Sequence, residues 1–110
     1  MRRATVNIGG EPAGVLSEIS RRHYHFRYHA LYLQNPDAQP VSLTMPTTRP
    51  EYEADELFPF FANMVAEGRN RELQARLMRI DLQDLFGLLL ATAQYDTIGN
   101  VTITPLPNAS

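Results

Sequence analysis

The three histidines of the chain, His23, His25 and His29, fall within seven positions of the stretch RRHYHFRYHALYL, residues 21 to 33. On a β-strand, His23 and His25 project from one face about 7 Å apart, and two imidazoles so placed share a metal ion in some proteins. His29 lies roughly 20 Å from His23 if the strand continues, too far to join them, and Arg27 sets a positive charge in between. The simpler reading is the solvent-facing side of a strand or a partner-contacting surface. Histidine also titrates near neutrality, but no neighbouring residue in the sequence identifies a partner for a pH switch.

The carboxylates Glu51, Glu53, Asp55 and Glu56 cluster ahead of a predicted helix, where capping and the helix dipole explain them more cheaply than an acid–base pair does. No G-x-S-x-G, H-E-x-x-H or G-x-G-x-x-G occurs. The glycine-rich NIGGEPAG connects two predicted strands rather than opening a helix, which weakens any phosphate-cradle reading.

All ten positive side chains are arginine, so Schiff-base chemistry and a phosphate-binding lysine of the P-loop or kinase type are absent from this chain. There is no cysteine, which removes disulfides, thiol catalysis and cysteine-ligated zinc together. Arg69, Arg71, Arg76 and Arg79 crowd one predicted helix and its N-terminal loop, while Arg21, Arg22 and Arg27 line a predicted strand. With a formal net charge of −2, overall charge opposes direct nucleic-acid binding. Arginine, tyrosine and phenylalanine are also what protein interfaces enrich, so a protein partner is the favoured expectation. Neither a catalytic residue nor a metal or cofactor site is assigned. MRRATVNIGG lacks the apolar core of a signal peptide, and no apolar run reaches the roughly 20 residues that span a bilayer; no membrane association and a cytoplasmic location are expected.

The elements that position these residues follow from periodicity. The 110 residues suit a single domain, 1–110. ATVNI (4–8) alternates and stops at Gly9-Gly10, and VLSEIS (15–20) completes a predicted hairpin. Residues 23–33 are predicted as a third strand, with Tyr24, Phe26 and Tyr28 inward and His23, His25, Arg27 and His29 outward. VSLTM (41–45) is predicted as a fourth. A helix is predicted from about Asp55 to Glu67, with Pro59 in its first turn and Gly68 as its stop. A second carries Leu73, Leu77 and Ile80 on one face; a third, LQDLFGLLLATA, has Asp81 as N-cap, and Gly87 within it implies close packing. VTITPL (101–106) returns to the sheet. The result is an α+β domain: a mainly antiparallel twisted sheet of about five strands, four N-terminal and one C-terminal, packed with about three helices between residues 55 and 94. Tyr24, Phe26, Tyr28, Phe60, Phe61, Leu73, Leu77, Leu85 and Leu89 are the expected core.

In order along the chain, AGVLS, YHFRYHALYL, VSLTMP, FFANMVAEGRNRELQARL and LFGLLLATAQYDTIGNVTITP resemble the N-terminal subdomain 1 of HipA-type serine/threonine kinases. The family's segments read roughly G-x-L with y-x-F-x-Y, L-S-L-x-x-P, F-F-x-N-L-L-P-E-G-x-x-R, and G-D-x-x-G-A-V before the last strand. Here Ala66 stands where the family has proline, Tyr95 where it has glycine or another small residue, and Asn100 where it has alanine. The resemblance implies a module that precedes, in long HipA proteins, a kinase core acting on an aminoacyl-tRNA synthetase. In tripartite systems a HipT kinase lacks the module, and a small HipS-type protein similar to it serves as antitoxin. It therefore implies a non-enzymatic antitoxin that binds a HipT-like kinase at or near its active site, with a HipB-like helix-turn-helix protein as a further candidate member of the complex. The alternative is an accessory subunit that completes a HipA-like kinase and aids docking of substrate or of the DNA-binding partner. Partner contact is expected at Met64, Val65, Ala66, Glu67, Gly68, Arg69 and Asn70, with Val65, Glu67 and Arg69 foremost, because a helix ends there and the small core cannot bury them all.

Overall fold

The computed structural model describes residues 1–65, 68–92 and 100–106. Strands β1 (Arg2–Ile8), β2 (Glu11–Ser20) and β3 (His23–Tyr28) form an antiparallel meander. A two-residue turn at Gly9 and Gly10 starts it, with φ of 60° and 81°, a geometry that only glycine adopts without a Cβ penalty. A one-turn helix, α1 (Ala30–Leu33), and a long irregular segment lead to β4 (Glu51–Ala54), which pairs with β3. Helices α2 (Pro59–Met64), α3 (Gly68–Met78) and α4 (Leu85–Thr92) follow, and β5 (Val101–Leu106) returns to pair antiparallel with β1. The sheet order is β4-β3-β2-β1-β5, an α+β architecture that has, among the described residues, a five-stranded antiparallel sheet and four short helices.

Alternation divides the sheet into two faces. Ala4, Val6, Leu16, Tyr24, Phe26, Tyr28, Val101 and Ile103 point inward and are buried, joined from the helical side by Phe61, Met64, Phe86, Leu88 and Leu89. Phe26 lies at the centre, with its ring 4.8 Å from that of Tyr28 and 5.9 Å from that of Phe61. Phe60 and Leu85 pack at the margin of this core, partly exposed.

Several expected boundaries shift. The third strand stops at Tyr28, because the next residues form α1, whose Tyr32 ring stacks on Tyr28 at 6.1 Å. VSLTM is not a strand: Val41 and Met45 are buried while Leu43 between them is 96% exposed, the signature of a turn closed by Met45 N–H to the Ser42 carbonyl. The fourth strand is instead EYEA, a charged edge strand of the kind that resists further pairing. The helix expected over residues 55–67 is confined to Pro59–Met64, with Pro59 at its first position, and Gly68 opens α3 rather than ending α2. Asp84, not Asp81, caps α4: its Oδ1 accepts from Gly87 N–H at 3.0 Å, while Asp81 holds a preceding turn through Gln83 N–H.

Leu73 and Leu77, expected in the core, are 50% and 72% exposed. Helix α3 turns Ala75 inward instead, and the small side chain gives it a shallow seat beside α4. The helix ends in a hydrogen-bonded left-handed turn, Ile80 N–H to the Ala75 carbonyl at 2.9 Å and Arg79 N–H to the Arg76 carbonyl at 3.4 Å.

Candidate partner-binding surface

Three constructions hold the surfaces of this domain. The first joins the ends of the sheet to α4. Arg2, on the inward face of β1, donates Nε and Nη2 to Glu18 Oε1 at 2.8 and 2.6 Å, and Nη1 and Nη2 to the two oxygens of Asp84 at 2.9 and 2.8 Å. Its guanidinium also lies 5.3 Å from the Phe86 ring centre. The other oxygen of Glu18 accepts from the Tyr24 hydroxyl at 3.1 Å. The hydrogen bonds from Arg2 hold the Asp84 carboxyl below its ordinary range, and those to Asp84 and Glu18 push the Arg2 guanidinium further up. Burial, with help from Glu18, pushes the Tyr24 phenol up to about 12. These groups line an open groove of about 890 Å³ against α2 and α4, rimmed by Glu56 and Asn63. The Arg2, Glu18, Asp84 and Tyr24 groups serve structure, each bonded to another of the four.

The second construction orders the segment between α1 and β4. The Tyr28 hydroxyl, on a ring that is 1% exposed, donates to the Met45 carbonyl and accepts from Val41 N–H at 2.9 Å. The Tyr32 and Tyr52 hydroxyls donate to the carbonyls of Gln39 and Pro46, each at 2.6 Å. Three phenols thereby replace the ladder that a strand would have supplied.

The third is the outward face of β3 and β4. His23 Nε2 lies 3.8 Å from Glu53, His25 Nε2 lies 3.8 Å from Glu51, and Arg27 Nη1 lies 3.4 Å from Glu51. Glu51 and Glu53 therefore face the histidine strand and do not cap a helix. Asp55 and Glu56 likewise precede α2 without entering its first turn. His29 leaves this row to sit at the N-cap of α1. Among the described residues, no group of three or more His, Asp or Glu side chains is placed to hold a metal ion.

The expected contact segment, 64–70, divides. Met64 and Val65 are buried, 4% and 3% exposed, because α2 turns its last residue and the extended residue after it onto the core. Val65, named among the foremost contact residues, is thus one of those that the core does bury. Ala66 and Glu67 lie outside the described residues, as do Tyr95, Asp96 and Gly99 of the late motif, and Gly68, Arg69 and Asn70 form the first turn of α3. Sequence reasoning missed the exposure of Leu73, Leu77 and Met78 on that same helix and of Leu43 on the tyrosine-held segment. A helical stripe of leucines reads as core by period alone; the alanine between them was the available signal.

No helix among the described residues is long and apolar enough to cross a membrane. The model of one protein family, the HipA N-terminal domain, matches residues 4–104. An uncharacterized protein of Haemophilus influenzae is 37% identical over 105 residues, which cover 94% of this chain and 92% of that one. A solved structure, the N-terminal domain of HipA toxin, superposes with a TM-score of 0.68 at 33% identity, covering 97% of this chain and 94% of that chain. The family model, the superposition and the coverage agree, and the chain belongs to the HipA N-terminal domain family.

Proposed function

We propose that this protein is a non-enzymatic antitoxin that binds a HipT-like serine/threonine kinase in the cytoplasm and inhibits it by direct contact at or near its active site. The observation that carries this reading is that the HipA N-terminal domain model matches residues 4–104, while a relative in H. influenzae is covered to 92% of its own length by its alignment with this chain. A domain related to part of a HipA toxin and carried by a chain without lysine has a kinase as its natural partner and no phosphate-binding lysine of its own.

Contact is assigned to the segment 64–70, with Glu67 and Arg69 foremost and Met64 and Val65 supporting it from the core. A HipB-like DNA-binding protein is a further candidate member of the complex. The likeness to a domain of the toxin itself also favours a second reading, an accessory subunit that completes the kinase. Phosphorylation of the kinase's substrate distinguishes the two. A fall on adding this protein supports the antitoxin, a rate that holds or rises while the complex forms supports the accessory subunit, and no complex at all contradicts both.

A further inference from the structure

The outer face of α3 combines three features that the fold does not use. Leu73, Leu77 and Met78 are 50%, 72% and 43% exposed, Leu73 and Leu77 being one helical turn apart. Arg76 and Arg79 stand exposed among them. Arg79, moreover, is the one non-glycine residue with positive φ among the described residues, at 55°. It occupies the left-handed position that ends the helix, where glycine is the ordinary choice because a Cβ is opposed there. An arginine kept in a position that disfavours it, beside a solvated leucine pair, marks a surface on which its side chain has another use.

We propose that this face of α3 lies in an apolar groove with a carboxylate rim on the kinase named above, the leucines and Met78 filling the groove and Arg76 and Arg79 meeting the rim. The inference rests on the antitoxin reading and adds a second contact to the 64–70 segment. Charge selects the occupant. Residues 68–79 carry four arginines and one glutamate, while the rest of the chain carries six arginines and eleven carboxylates. Symmetric pairing of α3 with a second copy would set two net-positive helices against each other, whereas an acidic groove complements both the charge and the apolar stripe.

The test uses the full chain and the purified HipT-like kinase, with affinity measured by calorimetry and stability by urea denaturation. Leu73→Gln with Leu77→Gln, which keeps helix propensity and adds no charge against the helix dipole, is expected to leave the urea midpoint nearly unchanged and to weaken kinase binding about tenfold or more, the scale of a lost interface anchor. Arg79→Gly is expected to raise the urea midpoint yet weaken binding, a split that a purely structural role does not produce. Arg76→Glu is expected to slow association and flatten its salt dependence. Wild-type affinity in the leucine double variant overturns the α3 contact while leaving the antitoxin reading intact. Absence of any binding by the wild-type chain overturns both, and a dimer dispersed by the leucine substitutions assigns the face to a second copy and overturns the proposal.

Discussion

Gly87→Ala sets helix propensity against geometry. Gly87 is the third residue of α4. Propensity alone predicts that alanine there stabilises the helix by about 1 kcal/mol. The structure predicts the opposite sign. A Cβ at position 87 would fall against the Asp84 carboxylate, within 2.8 Å of its Cγ, and 3.0 Å from Arg2 Nη1. Asp84 must then swing away, losing the cap to Gly87 N–H and the paired bonds from Arg2. A lost cap costs about 1 kcal/mol, and charge-assisted hydrogen bonds about 1.5–3 kcal/mol. The Arg2 and Asp84 side chains are 34% and 32% exposed, so solvent reduces the second figure to the lower end of its range. Set against the propensity gain, the net expectation is a loss of about 1–2 kcal/mol, read as a lower urea midpoint at unchanged slope. In an Asp84→Ala background the obstruction is gone and Gly87→Ala should stabilise. The same sign of effect in both backgrounds would refute the reasoning.

Further expectations concern the core, the ordered loop and the response to pH. Phe26→Ala, at the centre of the core, is expected to cost about 3–5 kcal/mol. His23→Ala and His25→Ala, on the outer face, should each stay within about 0.5 kcal/mol; thermal denaturation giving the reverse order would mean that the faces of β3 are misassigned. Tyr28→Phe leaves the Val41 N–H and Met45 carbonyl without their partner in a buried site and should cost about 1–3 kcal/mol, with faster amide exchange at Val41. Because Arg2 lowers the folded-state pKa of Asp84, its contribution is fully present above the unfolded carboxylate range and is lost as pH falls through the folded value. The stability gap between wild type and Asp84→Asn should therefore be widest near neutrality and narrow below about pH 4. Tyr24 runs the other way: its raised pKa keeps the phenol neutral in the fold, so stability should fall as pH rises from about 10 towards 12.

The hairpin, the inward row Tyr24, Phe26 and Tyr28, the return of VTITPL to the sheet and the proline at the head of α2 were legible because each rests on a local rule of period or dihedral angle. The readings of VSLTM and EYEA exchanged places for a physical reason. Val41, Leu43 and Met45 alternate like a strand, but Val41 N–H and the Met45 carbonyl are held by the Tyr28 hydroxyl from β3, and the Gln39 carbonyl just ahead of them by the Tyr32 hydroxyl from α1, which no local pattern shows. EYEA lacks the branched apolar residues of an inner strand because it lies at an edge, and its glutamates answer histidines and an arginine on the neighbouring strand. At the candidate surface, period correctly grouped Leu73 with Leu77 but could not say which face of α3 meets the core. The Arg2–Asp84 pair spans 82 positions and was equally out of reach.

The central claim, inhibition in trans by a separate HipA N-terminal domain, is tested most directly by titrating this protein into a HipT-like kinase while following phosphate transfer to the kinase's substrate. The account predicts a rate that falls in proportion to added protein and reaches its floor when every kinase molecule is bound. A rate that holds or rises while the complex forms would contradict it.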